Sequence, residues 1–116
     1  MKFYKNKETN EIINSISEIS NENFTKLEAN ATDGAVEKHV PVYSINDGYI
    51  YVNVGSIDHP MSDEHYIMWI ALVSGDNITK IDLKPGDKPE GMFEYKSEST
   101  IYAYCNLHGL WKTEVK

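Results

Sequence analysis

The side chains best suited to binding a metal ion are concentrated in three short clusters. All four histidines and the single cysteine lie in Glu37–Pro41, His59–His65 and Cys105–Gly109. A soft thiolate combined with imidazoles suits iron, copper or zinc, whereas magnesium and calcium prefer oxygen ligands. Only two residues separate the cysteine from the histidine of the last cluster, a spacing that forms a tight chelating turn. The sequence therefore predicts one transition-metal site, whose candidate ligands are His39, His59, His65, Cys105 and His108.

The segments that must position these donors have the pattern of short β-strands. From position 40 onward, turn residues recur about every ten residues, and the stretches between them are rich in Tyr, Ile and Val. This pattern predicts an all-β fold, a seven-stranded immunoglobulin-like β-sandwich. The predicted strands are Val42–Ile45, Tyr49–Val54, His65–Val73, Ile78–Leu83, Met92–Tyr95, Thr100–Tyr104 and Leu110–Val115.

Every candidate ligand lies close to the end of a predicted strand. His39 precedes the first strand, His65 begins the third, and Cys105 follows the sixth. Loops at one end of a rigid sandwich are common places for functional sites. A single histidine is usually an ordinary surface or packed residue, and a lone buried cysteine usually packs as a small hydrophobe. The joint placement of all five donors favours a metal site over these separate explanations.

Length and charge restrict the partners of the protein. A chain of 116 residues can bury a single core without disulfides. Its formal charge of −7 disfavours nucleic acid, because binding phosphate requires a basic face. No apolar stretch reaches the roughly 18 residues that a membrane span needs, and the charged start Met1–Glu8 lacks the apolar run of a signal peptide. We therefore expect a cytoplasmic protein that binds neither nucleic acid nor membrane.

Residues 1–34 differ in composition from the rest of the chain. They are more polar and are rich in asparagine, and they show only weak helical periodicity. This composition predicts a small N-terminal appendage, joined through a linker near Asn30–Gly34 to a main domain at residues 35–116.

With their neighbouring residues, the three donor clusters resemble the signature of the superoxide reductases, the family of desulfoferrodoxin and neelaredoxin. The matching motifs are Glu37-Lys38-His39-Val40-Pro41, His59-Pro60-Met61-x-x-x-His65-Tyr66-Ile67-x-Trp69-Ile70 and Cys105-Asn106-x-His108-Gly109-x-Trp111-Lys112. The resemblance implies a mononuclear iron with an axial thiolate and a sixth position that faces solvent. It implies that the axial ligand is Cys105 and that the equatorial imidazoles are those of His39, His59, His65 and His108.

The resemblance also implies an activity and two further site residues. The family reduces superoxide to hydrogen peroxide without releasing oxygen, and its usual electron donor is a rubredoxin. By this resemblance Lys38 attracts the anionic substrate and orders a water for protonation, while Glu37 is the carboxylate that occupies the open position in the oxidised state. Because family members form dimers or tetramers, we expect a homodimer.

Residues 1–34 depart from one branch of the same family. Desulfoferrodoxins begin with a small desulforedoxin-like domain that binds a second iron through four cysteines. Here Asn6, Thr9, Ser20 and Asn21 stand where those cysteines are expected. The resemblance therefore implies that residues 1–34 are a metal-free remnant of that segment and that residues 35–116 form the iron-binding domain.

Two other kinds of metal protein share part of this pattern. A cupredoxin is also a β-sandwich with a cysteine and a histidine in one loop, and it would carry electrons without a substrate. Blue-copper sites need only two histidines and usually add a methionine shortly after the second, and Gly109–Lys112 contains none. A structural zinc site takes four ligands, often with several cysteines, and leaves one of the five donors here without a role.

Overall fold

The central strand of the fold is also its most apolar segment. The structure, a computed structural model, describes residues 1–116. Strand β6, Ile67–Ser74, lies between β9, Thr100–Cys105, and β7, Asn77–Asp82, while β10, Gly109–Glu114, forms the other edge of this four-stranded antiparallel sheet. Because β6 is covered on both faces, its residues are apolar without the usual alternation.

A second antiparallel sheet completes the sandwich. It contains β4, Pro41–Asn46, β5, Tyr49–Val54, and β8, Glu90–Glu94, in that order. The inner faces of the two sheets form one buried core that includes Ile50, Val52, Val54, Ile67, Ile70, Leu72, Phe93, Ile101, Ala103 and Cys105. The all-β class and the sandwich expected from the sequence are confirmed.

The N-terminal appendage is itself a sheet, which the sequence analysis did not predict. Strands β1, Lys2–Asn6, β2, Ile12–Ser15, and β3, Phe24–Lys26, pair antiparallel in the order β2-β1-β3. This sheet packs on the outer face of the four-stranded sheet and forms a second core of Phe3, Trp69, Ala71, Val73, Tyr104 and Leu110. Strands of three to five residues with polar positions carry too little alternation to be recognised in the sequence.

The turns of the N-terminal sheet are closed by asparagine side chains. The Oδ1 atom of Asn6 accepts hydrogen bonds from the N–H groups of Glu8 at 2.9 Å and Thr9 at 3.3 Å. The Oδ1 atom of Asn21 accepts one from the N–H of Asn23 at 2.8 Å. Such Asx turns satisfy the backbone locally, so Asn6 and Asn21, two of the positions at which the resemblance expects cysteines, close turns through their own side chains.

The segment expected as a linker, Asn30–Gly34, is bound along the edge of β10. The N–H of Asn30 donates to the carbonyl of Leu110 at 2.9 Å, and the N–H of Lys112 donates to Oδ1 of Asn30 at 2.8 Å. The hydroxyl of Thr32 donates to the carbonyl of His108. These contacts place residues 30–34 against the sandwich and cover the exposed edge of β10.

The fold contains one short helix, α1, Val36–His39, which the sequence analysis also did not predict. Its four residues form a single turn, too short to produce an apolar periodicity in the sequence. No helix of this fold is long and apolar enough to cross a membrane.

Candidate metal centre

Three connections at one end of the sandwich bring the candidate ligands together. His39 is the last residue of α1, and one residue separates it from β4. His59 and His65 lie in the connection between β5 and β6, and Cys105 ends β9. His108 lies in the turn from β9 to β10. Since the start of β4 pairs with the end of β5 and the start of β6 pairs with the end of β9, these connections face one another.

The four imidazole rings form a closed square. Neighbouring ring centroids are 4.6 Å apart for His39 and His59, 4.6 Å for His59 and His65, 5.0 Å for His65 and His108, and 4.8 Å for His108 and His39. The centroids of His39 and His65, on opposite corners, are 6.2 Å apart. Adjacent planes meet at 72° to 90°, so each ring turns an edge toward the next.

The ligand atoms converge on one point. One ligand atom from each of His39, His59, His65 and Cys105 lies within 4.8 Å of the others. The fifth candidate, His108, places its Nδ1 atom 3.1 Å from Nε2 of His39 and 3.8 Å from Sγ of Cys105. The structure thus brings all five sequence-predicted donors into one cluster.

The hydrogen bonds of the rings fix which nitrogen faces the centre. Nδ1 of His39 donates to the carbonyl of Ala35 at 2.8 Å, and Nδ1 of His59 donates to the carbonyl of Pro60 at 2.7 Å. In the neutral imidazole the remaining Nε2 atom then carries a lone pair. Burial lowers the pKa of His39, and it lowers the pKa of His59 to about 4, so both rings are neutral at pH 7.

The lone pairs of His39 and His59 point toward the centre of the square. The Nε2 atoms of His39 and His59 face each other at 3.2 Å, although neither carries a proton. Nε2 of His65 is buried and has no hydrogen-bond partner. Because unpaired buried acceptors are costly, this arrangement fits a cation held between the rings.

The thiol of Cys105 lies at the end of the sandwich core. Burial raises its pKa, while hydrogen bonds from the N–H groups of His108 and Leu107 act in the opposite direction. The N–H of His108 is 3.4 Å from Sγ, as the tight Cys-x-x-His turn requires. Metal coordination would deprotonate such a thiol, since the thiolate is the ligand form.

Close packing determines the position of α1. A Cβ atom on Gly55, just after β5, would lie 2.6 Å from the backbone oxygen of Glu37, so only glycine lets this loop approach the helix. The same oxygen accepts a hydrogen bond from the N–H of Ile57 at 2.9 Å. The indole ring of Trp111 packs beside His39 with 4.8 Å between ring centroids. The imidazole of His39 is therefore held from several sides.

Glu37 and Lys38 lie on α1, directly before His39, and both are exposed. Burial is the main reason that the pKa values of His39 and His65 lie below their ordinary range, and the charge of Lys38 adds to this lowering at both rings. Glu37 acts electrostatically in the opposite direction on His39. The ammonium group is thus within electrostatic reach of two corners of the square.

The sequence analysis assigned no role to Asn106 or Ser62, although both support the site. Asn106 lies inside the Cys-x-x-His motif and makes hydrogen bonds to the backbone on both sides of His65. The hydroxyl of Ser62 donates to the carbonyl of His65 at 3.2 Å. The signal available for Asn106 was its place between two candidate ligands.

A sequence model of a known family matches most of this chain. The family is described as desulfoferrodoxin, and the match covers residues 31–114. The matched region includes every candidate ligand and all of the sandwich strands. The chain belongs to the desulfoferrodoxin family.

Individual relatives and solved structures agree with this membership. The chain is 50% identical over 94 residues to the desulfoferrodoxin of Clostridium acetobutylicum, which covers 81% of this chain and 75% of that protein. It is 43% identical over 88 residues to a desulfoferrodoxin homolog of Archaeoglobus fulgidus, covering 75% of this chain and 70% of that one.

Among solved structures, the superoxide reductase of Treponema pallidum aligns with a TM-score of 0.75 at 29% identity, over 97% of both chains. The superoxide reductase of Giardia intestinalis aligns with a TM-score of 0.61 at 28% identity, over 69% of this chain and 98% of that chain. The likeness to the Treponema structure extends over the N-terminal sheet as well as the sandwich, because nearly the whole chain is covered.

Proposed function

We propose that this protein is a superoxide reductase, which reduces superoxide by one electron to hydrogen peroxide at a mononuclear non-haem iron. The observation that carries the proposal is the square of imidazoles beside a buried thiol, in a chain of the desulfoferrodoxin family. The proposed ligands are His39, His59, His65, His108 and Cys105. Four imidazoles exceed the two that a blue-copper site uses, so the geometry does not favour a cupredoxin.

The five donors determine what chemistry is available. Bound iron(II) would supply the electron that converts superoxide, together with two protons, into hydrogen peroxide, and a thiolate ligand favours that transfer. The imidazoles of His39, His59 and His65 are neutral because burial lowers their pKa values, so they offer lone pairs rather than protons. The N–H groups of His108 and Leu107 direct positive charge at the sulfur and moderate its donor strength.

We propose that Lys38 attracts the substrate and that Glu37 would supply the carboxylate that occupies the open position of the oxidised site. The formal charge of the chain is −7, so an anion such as superoxide approaches against the overall field. The exposed ammonium of Lys38 lies within electrostatic reach of His39 and His65 and supplies a local attraction. It can also order water, the source of protons for the product.

The partner proteins and the location are further proposals. The reaction consumes one electron per superoxide, so an external donor must return the iron to the ferrous state, and we propose a small rubredoxin-like protein for this role. The homodimer, the cytoplasmic location and the division into residues 1–34 and 35–116 stay predictions.

The decisive experiment combines metal analysis with product stoichiometry. Purified protein should hold about one iron per chain, as one set of five donors requires. In its reduced form it should convert one superoxide into one hydrogen peroxide without evolving oxygen. Stoichiometric zinc, an intense blue copper absorption, or oxygen release by dismutation would each contradict the proposal.

A further inference from the structure

Three of the imidazoles are held in place in two different ways. The rings of His39 and His59 are fixed directly, because each donates from Nδ1 to a backbone carbonyl of its own loop. The structure gives the ring of His65 no comparable hydrogen bond, and its Nε2 atom is buried without a partner. The orientation of this imidazole therefore depends on the backbone that carries it and on the packing of the neighbouring rings.

Asn106 holds that backbone on both sides of His65. Its Nδ2 group donates to the carbonyl of Glu64 at 2.9 Å, and its Oδ1 atom accepts from the N–H of Tyr66 at 3.0 Å. Its own N–H also donates to the carbonyl of Tyr66 at 3.2 Å. One side chain thus uses both ends of its amide to fix the residues that precede and follow a single histidine.

The loop around His65 has little other restraint of this kind. Ser62 closes a tight turn against it, with its N–H 3.0 Å and its hydroxyl 3.2 Å from the carbonyl of His65. That turn fixes the loop to itself, three residues away along the chain, and not to the sheet that carries Cys105. Ile67 pairs with Cys105 where β6 begins, and Asn106 adds a side-chain connection closer to His65, to two residues that lie 40 and 42 positions before it in the sequence.

From these contacts we infer that Asn106 is a positioning residue that sets the imidazole of His65 relative to the thiolate of Cys105. Asn106 follows Cys105 directly in the chain, so its three hydrogen bonds make the cysteine turn and the histidine loop one rigid unit. The inference rests on the proposed function, because His65 needs accurate placement only if it binds a metal. Residues that orient metal ligands in this way commonly change metal affinity by about 10- to 100-fold.

The test measures iron(II) affinity by competition with a chelator, together with the visible spectrum of the oxidised protein. Asn106→Ala should lower the affinity about 10- to 100-fold and shift the absorption band of the oxidised iron. Asn106→Asp keeps an acceptor for the N–H of Tyr66 but loses the donor to Glu64, so it should lie between Asn106→Ala and wild type. If Asn106→Ala fails to fold, Asn106→Asp still tests the positioning role.

Asn30→Ala is the matched control for a general loss of stability. Asn30 also joins two segments through three hydrogen bonds to backbone, along β10, but it binds neither neighbour of a histidine ligand. We expect this variant to lower the melting temperature while iron affinity and the spectrum stay at wild-type values. Equal losses of iron affinity in Asn30→Ala and Asn106→Ala would overturn the positioning role.

A double-mutant cycle tests whether Asn106 acts through His65. If it does, adding Asn106→Ala to His65→Ala should cost little further iron affinity, because the group that Asn106 positions is already absent. Fully additive losses would show that it acts elsewhere. Wild-type protein that binds no iron would refute the proposed function, whereas wild-type protein that binds iron beside an unaffected Asn106→Ala would refute this inference alone.

Discussion

The metal centre and the N-terminal sheet both depend on turns that bring strand ends together, but the side chains in those turns behave in opposite ways. In the N-terminal sheet, Asn6 and Asn21 accept hydrogen bonds from the turns that they close. At the metal centre, His39 and His59 direct unprotonated nitrogens at each other across 3.2 Å. The asparagine side chains find their hydrogen-bond partners within the turns, whereas the two facing imidazole nitrogens fit a cation placed between the rings.

This difference separates what each region contributes. The turns of the N-terminal sheet need no metal, and the burial of Phe3 and its neighbours covers the outer face of the sandwich. Variants in that sheet should therefore change the free energy of unfolding and leave the iron spectrum intact. Variants at the metal centre should change the iron spectrum directly, and any loss of bound metal also lowers the free energy of unfolding.

The largest expected effect is that of Cys105→Ser. The oxidised wild-type protein should show a thiolate-to-iron(III) charge-transfer band in the visible region, and the variant should lose it entirely, because the hydroxyl of serine is not a thiolate. Absorption spectroscopy on iron-loaded protein measures the band, and far-UV circular dichroism checks the fold. A visible band that survives the substitution would assign the absorption to another ligand.

Truncation tests the N-terminal sheet as a whole. A chain that starts at Asn30 loses the cover over Trp69, Tyr104 and Leu110, and we expect a large drop in melting temperature and a change in assembly while the iron spectrum persists. A chain that starts at Ala35 also loses the contact of Thr32 with His108. Comparing the two truncated chains shows whether residues 30–34 support the sandwich. Loss of iron from a folded chain that starts at Asn30 would show that the metal centre depends on the N-terminal sheet.

A single core side chain provides a finer test of the same sheet. Phe3 is 3% exposed and stacks on Trp69 with 5.5 Å between ring centroids. Phe3→Ala should lower the free energy of unfolding by about 3–5 kcal/mol without moving the charge-transfer band. Ile16 is 56% exposed, and Ile16→Ala is the control, with an expected change within about 0.5 kcal/mol. Denaturant titration of both variants measures the difference.

The smallest expected effect is electrostatic. Lys38→Met should leave iron content and spectrum nearly unchanged while slowing the reaction with superoxide roughly threefold or more at low ionic strength, since a local attractive charge is lost. The dependence of the rate on salt should also flatten. Glu37→Ala, one residue away, should instead alter the spectrum of the oxidised protein, while the rate of superoxide reduction stays similar to that of wild type. Pulse radiolysis at two ionic strengths measures both rates, and an unchanged rate for Lys38→Met would exclude steering by this residue.

The parts of the fold that were predictable have strong local signals. Each predicted strand after position 40 overlaps a strand of the structure, because turn residues and apolar runs mark these segments clearly. The strands of the N-terminal sheet have few apolar residues, and their stability comes from Trp69 and Tyr104, far away in the sequence. Their formation depends on packing that no local pattern records.

The candidate site divides in a similar way. Chemistry and spacing identify the five donors, since histidine and cysteine are rare in this chain and each can bind a metal. The hydrogen bonds from Asn106 to Glu64 and Tyr66 could not be predicted, because these residues come close to Asn106 only when β6 pairs with β9. The helical turn of α1 was missed because its position depends on the loop at Gly55.

Strand β6 belongs to both hydrophobic cores, and this has a thermodynamic consequence. Ile70 and Leu72 lie in the core between the sandwich sheets, while Trp69, Ala71 and Val73 lie in the core beneath the N-terminal sheet. Melting either core exposes one face of the same strand, which leaves the packing of the other core without its central support. We therefore expect the three layers to unfold as one cooperative unit, with no separate transition at the compositional boundary near residue 34.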